Sequence, residues 1–217
     1  MNWPKLIYFA VLAIALIGSF TTYKDRRYIL FIPLIAFSLG IEIVRALIEK
    51  ESKLHNPILL TIVIVEYLLL SLIITNFLKS SLKRNVILSS IIILIPVFVI
   101  VHLTLIDKGG AYKYFNNMIV GVFICIWTIL YLFESAKLND EFEITKNPMF
   151  WISLGNLLFY SGSFFSYGFG SYMVSNGNSE LGDTIFWIAR ILNILLYILY
   201  FIGFLCLRTH KSYSSQS

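Results

Sequence analysis

The sequence predicts an all-α polytopic transmembrane bundle of seven helices, and three observations carry that prediction. Hydrophobic residues make up 58% of the 217-residue chain and charged residues only 13%, against about 25% charged in ordinary globular chains. Seven stretches are apolar over roughly the 20 residues that a helix needs to cross the hydrocarbon core. The connections between them are short and hold most of the Lys, Arg, Asp and Glu. A soluble fold could not hide this much apolar side chain. With no Gly/Ser linker or long polar run, residues 1–217 are expected to form one domain with a short tail at 208–217.

Span 1 (6–23, LIYFAVLAIALIGSFTTY) has one Lys before it and no clean small-x-small signal after its apolar core. It is expected to remain as a helix rather than to be cleaved as a signal peptide. Span 2 (28–48) contains Glu42 with Arg45 three residues on, the spacing of an ordinary ion pair along a helix. Span 3 (57–78, PILLTIVIVEYLLLSLIITNFL) carries one ionisable group, Glu66, almost at its midpoint. Span 4 (86–106) holds Pro96, which removes a backbone hydrogen bond and kinks a helix, and His102 near its end. The kink is expected to be a fixed packing feature. Span 5 (116–134) is nearly featureless.

Span 6 (149–169) carries Asn156, Tyr160, Ser163 and Tyr167, whose spacing places them on one helix face. Beside them run Gly155, Gly162 and Ser166, small enough to let a neighbouring helix approach closely. Span 7 (184–207) repeats the arrangement with Arg190, Asn193 and Tyr197. Between the two, 170–183 is expected to be a flexible loop. The glycines of YGFGSYM are assigned to it, because a dinucleotide fingerprint would need a preceding strand and a third Gly. Span 2 (PLIAFSLG, 33–40) and span 6 (PMFWISLG, 148–155) share Pro, four residues and Ser-Leu-Gly. In a parallel-repeat transporter these spans would be equivalent; chance is the better account, because the residues are common in membrane helices and the flanking spans do not visibly match.

Orientation follows from Lys and Arg. Loops 24–27, 79–85 and 135–148 and the tail carry more of them than Lys5, the 45–53 segment (Arg45, Lys50, Lys53) and the Lys108–Lys113 connection, and 170–183 has none. The N-terminus is therefore expected outside and the C-terminus in the cytoplasm of a multi-pass cell-membrane protein.

A charged side chain at mid-bilayer costs at least ~2.5–3.5 kcal/mol on insertion scales, so it normally faces the bundle interior or a water-filled cavity. Glu66 should point inward and be paired or protonated. The depth of Arg190, with its long reach, makes it the expected partner of Glu66. Glu42, His102, Arg190 and Glu66 all fall in the outer half of the predicted membrane. With Asn156, Tyr160 and Asn193 converging on the same centre, they predict a polar cleft open to the outside.

Several chemistries lack their residues. His55, His102 and His210 cannot converge on one zinc, and no H-E-x-x-H, G-x-S-x-G, P-loop or C-x-x-C occurs. Cys125 and Cys206 lie in apolar runs, where a thiol behaves as a small hydrophobe. A retinal protein would need a Schiff-base Lys in the last span, and span 7 has none. No cofactor and no catalytic or metal site is predicted, and an enzyme is the least supported class. The net charge of +5 reports topology rather than nucleic-acid binding.

Three pieces, HNPILLTIVIVEYLLL (55–70), ITKNPMFWISLGNLLFYSG (144–162) and IARILNILLYILYFIGF (188–204), carry a resemblance. The chain resembles a group of uncharacterised bacterial seven-helix integral membrane proteins. Its marks are an Asn upstream of a mid-span Glu (Asn56, Glu66) and a Pro-x-Phe-Trp-Ile start to the sixth helix (Pro148, Phe150, Trp151, Ile152). The group is similar in layout to seven-helix sensor modules of bacterial signalling proteins, which implies a place in the bacterial inner membrane and a role in signalling, but no catalytic residue.

The function expected from these features is a sensor or receptor-like module with a small ligand in the outer cleft. With only 208–217 after the last span, its signal would pass to a cytoplasmic or membrane partner through 134–148 and the tail. The alternative is a small proton-coupled transporter with Glu66 as the coupling residue. A third reading makes Glu66–Arg190 structural glue in a membrane assembly. A transporter needs a polar route on both sides of Glu66; a sensor needs only the outer one.

Overall fold

The computed structural model describes residues 3–23, 25–47, 55–105, 114–137 and 145–214. Among them the chain forms seven α-helices and no strand: α1 (Trp3–Phe20), α2 (Phe31–Leu47), α3 (His55–Phe77), α4 (Ser81–Leu105), α5 (Phe115–Ala136), α6 (Pro148–Ser175) and α7 (Ser179–Ser214). Each predicted span falls on one of them. α3, α4, α5 and α7 are long and apolar enough to cross a membrane. The apolar part of α1, Leu6–Phe20, is shorter, and α2 has 17 residues. α6 is long, at 28 residues, but its Asn, Ser, Tyr and Gly dilute its apolarity. The chain is an all-α membrane protein. Lys24, Lys50, Lys53, Lys108, Lys113 and residues 138–144 and 215–217 lie outside the described residues, as do the side chains of Lys5, Asn56 and 209–214.

Six helices close a ring in which α1 packs on α2, α2 on α3, α3 on α5, α5 on α6, α6 on α7 and α7 back on α1. α4 stands outside it, packed chiefly on α3. Its exposed face is apolar (Leu82, Ile92, Ile93, Ile100, Leu103), as suits a helix whose other neighbour is lipid. Pro96 is exposed on this peripheral helix. It does not line the interior, so a gating role for it finds no support.

The α6–α7 hairpin is the tightest pair, and its close approach depends on missing side chains. A Cβ at Gly203 would lie 2.8 Å from the Pro148 carbonyl oxygen, and one at Gly182 3.1 Å from that of Gly170. Two boundaries here differ from the sequence prediction. α6 does not end at 169: it runs through Tyr167-Gly168-Phe169-Gly170 to Ser175, because Gly170 and Ser171 are buried and Gly170 takes the Phe186 ring of α7 against its backbone. The expected flexible loop reduces to Asn176-Gly177-Asn178. There the Asn178 amide donates to the Met173 carbonyl (2.9 Å) and the Gly177 amide to that of Val174 (3.1 Å). This is a Schellman closure with Gly177 at φ +82°. The expected tail is likewise part of α7, which continues through 208 to Ser214.

At the opposite end, side chains satisfy the helix starts. Asn147 caps α6 by accepting from the Met149 amide (2.9 Å), with Pro148 next. The Asn147 side-chain amide donates to the Tyr131 hydroxyl (3.2 Å), and the Trp151 indole to the Thr145 carbonyl (2.9 Å). Glu134, near the end of α5, accepts from the Lys79 and Ser80 amides at the start of α4 and pairs with Lys83 at 2.7 Å. A carboxylate at a helix N-terminus complements its dipole. Glu134 is thus engaged with α4 and Asn147 with α5, so the described ends of the 134–148 segment are both tied to the bundle.

The half of the bundle nearest these contacts is filled with rings. Phe31 packs edge-on against Tyr200 and Phe204, both at 5.5 Å, and Phe77 against Tyr28 (4.7 Å) and Tyr131 (6.2 Å). Phe31, Tyr200 and Phe204 are fully buried. The other half holds a polar cavity.

Candidate functional site: a polar cavity ending at Glu66

The cavity has a volume of about 100 Å³ and is lined from every ring helix: Tyr8 on α1; Ser38, Glu42 and Arg45 on α2; Val63 and Glu66 on α3; Asn117 and Val120 on α5; Tyr160, Ser163 and Tyr167 on α6; Asn193 and Tyr197 on α7. On α3, Val63, Tyr67 and Leu70 are buried and fix the helix rotation that turns Glu66 inward. On α6, the stripe Asn156-Tyr160-Ser163 faces the interior because the glycines seat α7 beside it.

At the floor, the Tyr160 hydroxyl donates to Glu66 Oε1 at 2.8 Å. The Asn193 side-chain amide donates to the Tyr8 hydroxyl at 3.0 Å. The Tyr197 ring packs 6.2 Å from that of Tyr8. Beneath, the Tyr200 hydroxyl donates to Asn156 Oδ1, and both residues are buried. Phe31 and Phe204 continue the seal. Towards the other end, Tyr114 stacks on Tyr167 at 4.8 Å with rings 10° apart. There Arg45 and Glu42 form an ion pair of 2.8 Å with both side chains partly exposed. The cavity therefore opens where α2 ends and α3 and α5 begin, and closes at the level of Asn156 and Tyr200.

The structure brings four of the seven sequence-predicted residues to this cavity: Glu66, Tyr160, Asn193 and Glu42. Asn156 lies just below its floor. Arg190 and His102 are elsewhere. The expected Glu66–Arg190 pair does not form. Arg190 is exposed, and its guanidinium lies 4.7 Å over the Trp187 ring. Seven residues separate Arg190 from Tyr197, which keeps them on one face but about 10 Å apart along the axis at 1.5 Å per residue. At that height the long side chain turns to the surface and stacks on an aromatic neighbour. His102 is on α4, outside the ring. The shared Pro/Ser-Leu-Gly pattern places Pro33 and Pro148 in the first turns of their helices. Gly155 packs against Leu196 and Leu199, however, whereas Gly40 meets nothing within 4 Å, so the two glycines do not serve equivalent contacts.

Sequence reasoning missed Tyr8, Ser38, Asn117 and the lining role of Arg45. Tyr8 and Asn117 carried a signal, since a hydroxyl or amide inside an apolar span needs a partner. Tyr114 stands three residues before Asn117 and lines the same cavity, so a short polar face was also there to be read.

No family model, no curated protein and no solved structure matches the chain. What defines its class is the architecture: an all-α membrane protein with a carboxylate-floored cavity open at one end of its helix ring.

Proposed function

We propose that this chain is a multi-pass sensor or receptor-like module of a cell membrane. It binds a small ligand in an outward-facing cavity and passes the resulting shift in helix packing to a partner on the cytoplasmic side. The carrying observation is the one-sidedness of the polar interior. Above the Glu66–Tyr160 hydrogen bond lies a cavity, and below it the Asn156–Tyr200 pair and packed rings close the bundle. In this reading all seven helices span the bilayer, with the N-terminus outside, as the Lys and Arg count favours. The layout of seven-helix bacterial signalling modules supports the same assignment.

A ligand shifts such a bundle only through different affinities for two arrangements, and a cavity lined by Glu66 and by residues of five other helices is placed to supply that difference. The transporter reading keeps one specific support: a deep carboxylate held, among the described residues, by one tyrosine hydroxyl is a suitable proton carrier. The structural-glue reading rested on Glu66–Arg190 and loses its basis.

The test is proton flux and substrate counterflow in liposomes, wild type against Glu66→Gln. The sensor reading expects no flux that depends on Glu66. Flux that vanishes in a folded Glu66→Gln protein would establish a transporter instead.

A further inference from the structure

We infer that the ligand of this cavity is a small organic ammonium ion, with Glu66 as its counter-charge and tyrosine rings as its walls. The inference rests on the cavity being a ligand site, and adds the chemistry of the occupant.

Size is the first constraint. The volume of about 100 Å³ is somewhat below the ~150 Å³ of an engineered cavity that takes benzene, so the occupant has only a handful of heavy atoms. Charge is the second. Glu42 and Arg45 at the mouth pair with each other at 2.8 Å, which leaves Glu66 as the lining carboxyl group without a charged partner among the described residues. Its described partner, the Tyr160 hydroxyl, is neutral. Glu66 itself borders the cavity, beside that hydroxyl.

The walls are the third. Phe37, Tyr8, Tyr114, Tyr160, Tyr167 and Tyr197 all border the space. Aromatic faces attract cations through the ring quadrupole, most strongly where water is displaced, and aromatic cages are the usual receptors for methylated ammonium groups.

The rival occupants fit less well. An anion would sit against Glu66. A neutral molecule would bring no counter-charge, so Glu66 could hold it only as the neutral acid, by an ordinary hydrogen bond. A divalent metal ion needs several converging oxygen ligands, carboxylates foremost, and among the described residues no three His, Cys, Asp or Glu side chains are grouped to hold one. An ammonium with at least one N–H completes the set: its proton donates to Glu66, and its methyl groups lie on the rings.

The probe is trimethylammonium, with methylammonium as a smaller cation, tert-butanol as a neutral analogue and pivalate as an anion. Binding is read by equilibrium titration of the purified chain in maltoside micelles, because phosphatidylcholine would itself supply a methylated ammonium. Saturable binding of trimethylammonium is expected, weakened at least about tenfold by Glu66→Gln, as for loss of a charge-assisted hydrogen bond. Tyr160→Phe keeps the ring face and should weaken it less. Thermal unfolding of both variants confirms folding. Equal binding of tert-butanol or pivalate, insensitivity to Glu66→Gln, or no saturable binding of either cation would overturn the inference, the last meaning a hydrated cavity only. The two proposals fail separately. Bound ammonium with Glu66-dependent flux would keep the ligand class and discard the sensor. A neutral or anionic ligand without flux would do the reverse.

Discussion

Asn156 and Tyr160 stand one turn apart on the same face of α6, and each meets a polar side chain from another helix. Asn156 accepts from Tyr200 within a sealed, ring-filled half of the bundle. Tyr160 donates to Glu66 at the floor of a cavity. The two contacts are chemically alike, but their surroundings are not. In the sealed half a lost partner has no substitute, so breaking the hydrogen bond carries the full cost of an unsatisfied buried group. In the open half, water or a ligand can replace a lost partner, so the same kind of contact is free to change. The comparison teaches that one polar stripe can be structural at one turn and available for binding at the next.

Substitutions test this contrast. The largest effect is expected from Gly203→Leu in the sealed half, where even a Cβ would press on the Pro148 carbonyl. A loss of about 3 kcal/mol or more, the upper range of overpacking, should be measurable by equilibrium unfolding in mixed micelles. Next comes Tyr200→Phe, which leaves Asn156 Oδ1 without its donor. It should cost about 1–3 kcal/mol, the penalty of an unsatisfied buried group. Tyr160→Phe removes the corresponding hydroxyl at the cavity floor and should cost less, about 1 kcal/mol or under, because the cavity admits water. Equal losses for the two Tyr→Phe variants would break the comparison.

Smaller again is Glu134→Gln at the sealed end. It keeps an acceptor for the Lys79 and Ser80 amides but weakens the Lys83 pair and the dipole contact, a loss of about 0.5–1 kcal/mol. Added salt should narrow the gap between this variant and wild type, since the pair is partly exposed. The smallest change is expected for Arg190→Gln. An exposed guanidinium on a Trp ring contributes about 0.5–1 kcal/mol at most, and ligand binding in the cavity should be unaffected. A strong binding defect in that variant would restore Arg190 to the site.

Much of the fold was legible because membrane helices announce themselves by length and composition, and each predicted span has its helix. The inward face of α6 was legible for a related reason: Asn156, Tyr160 and Ser163 repeat at helical spacing, and a polar stripe in an apolar helix has nowhere to go but inward. The ends were harder. α6 continues past 169 because Gly170 takes the Phe186 ring of α7 against its backbone and Ser171 is buried, contacts that the apolarity of the sequence does not reveal. Arg190 was assigned from depth alone, whereas its position depends on Trp187 being near enough to stack on.

The sequence by itself determined an all-α membrane chain, the inward direction of Glu66 and the existence of a polar half. These follow from the cost of polar groups in hydrocarbon, which acts on each residue separately. Only the tertiary structure decided that α4 stands outside a six-helix ring, that Tyr160 rather than Arg190 meets Glu66, and that the cavity closes at the level of Asn156 and Tyr200. Those outcomes depend on which helices are neighbours and how closely they approach. Close approach is set by pairs such as Gly203 with Pro148, residues that lie far apart in the chain and become meaningful only when packed together.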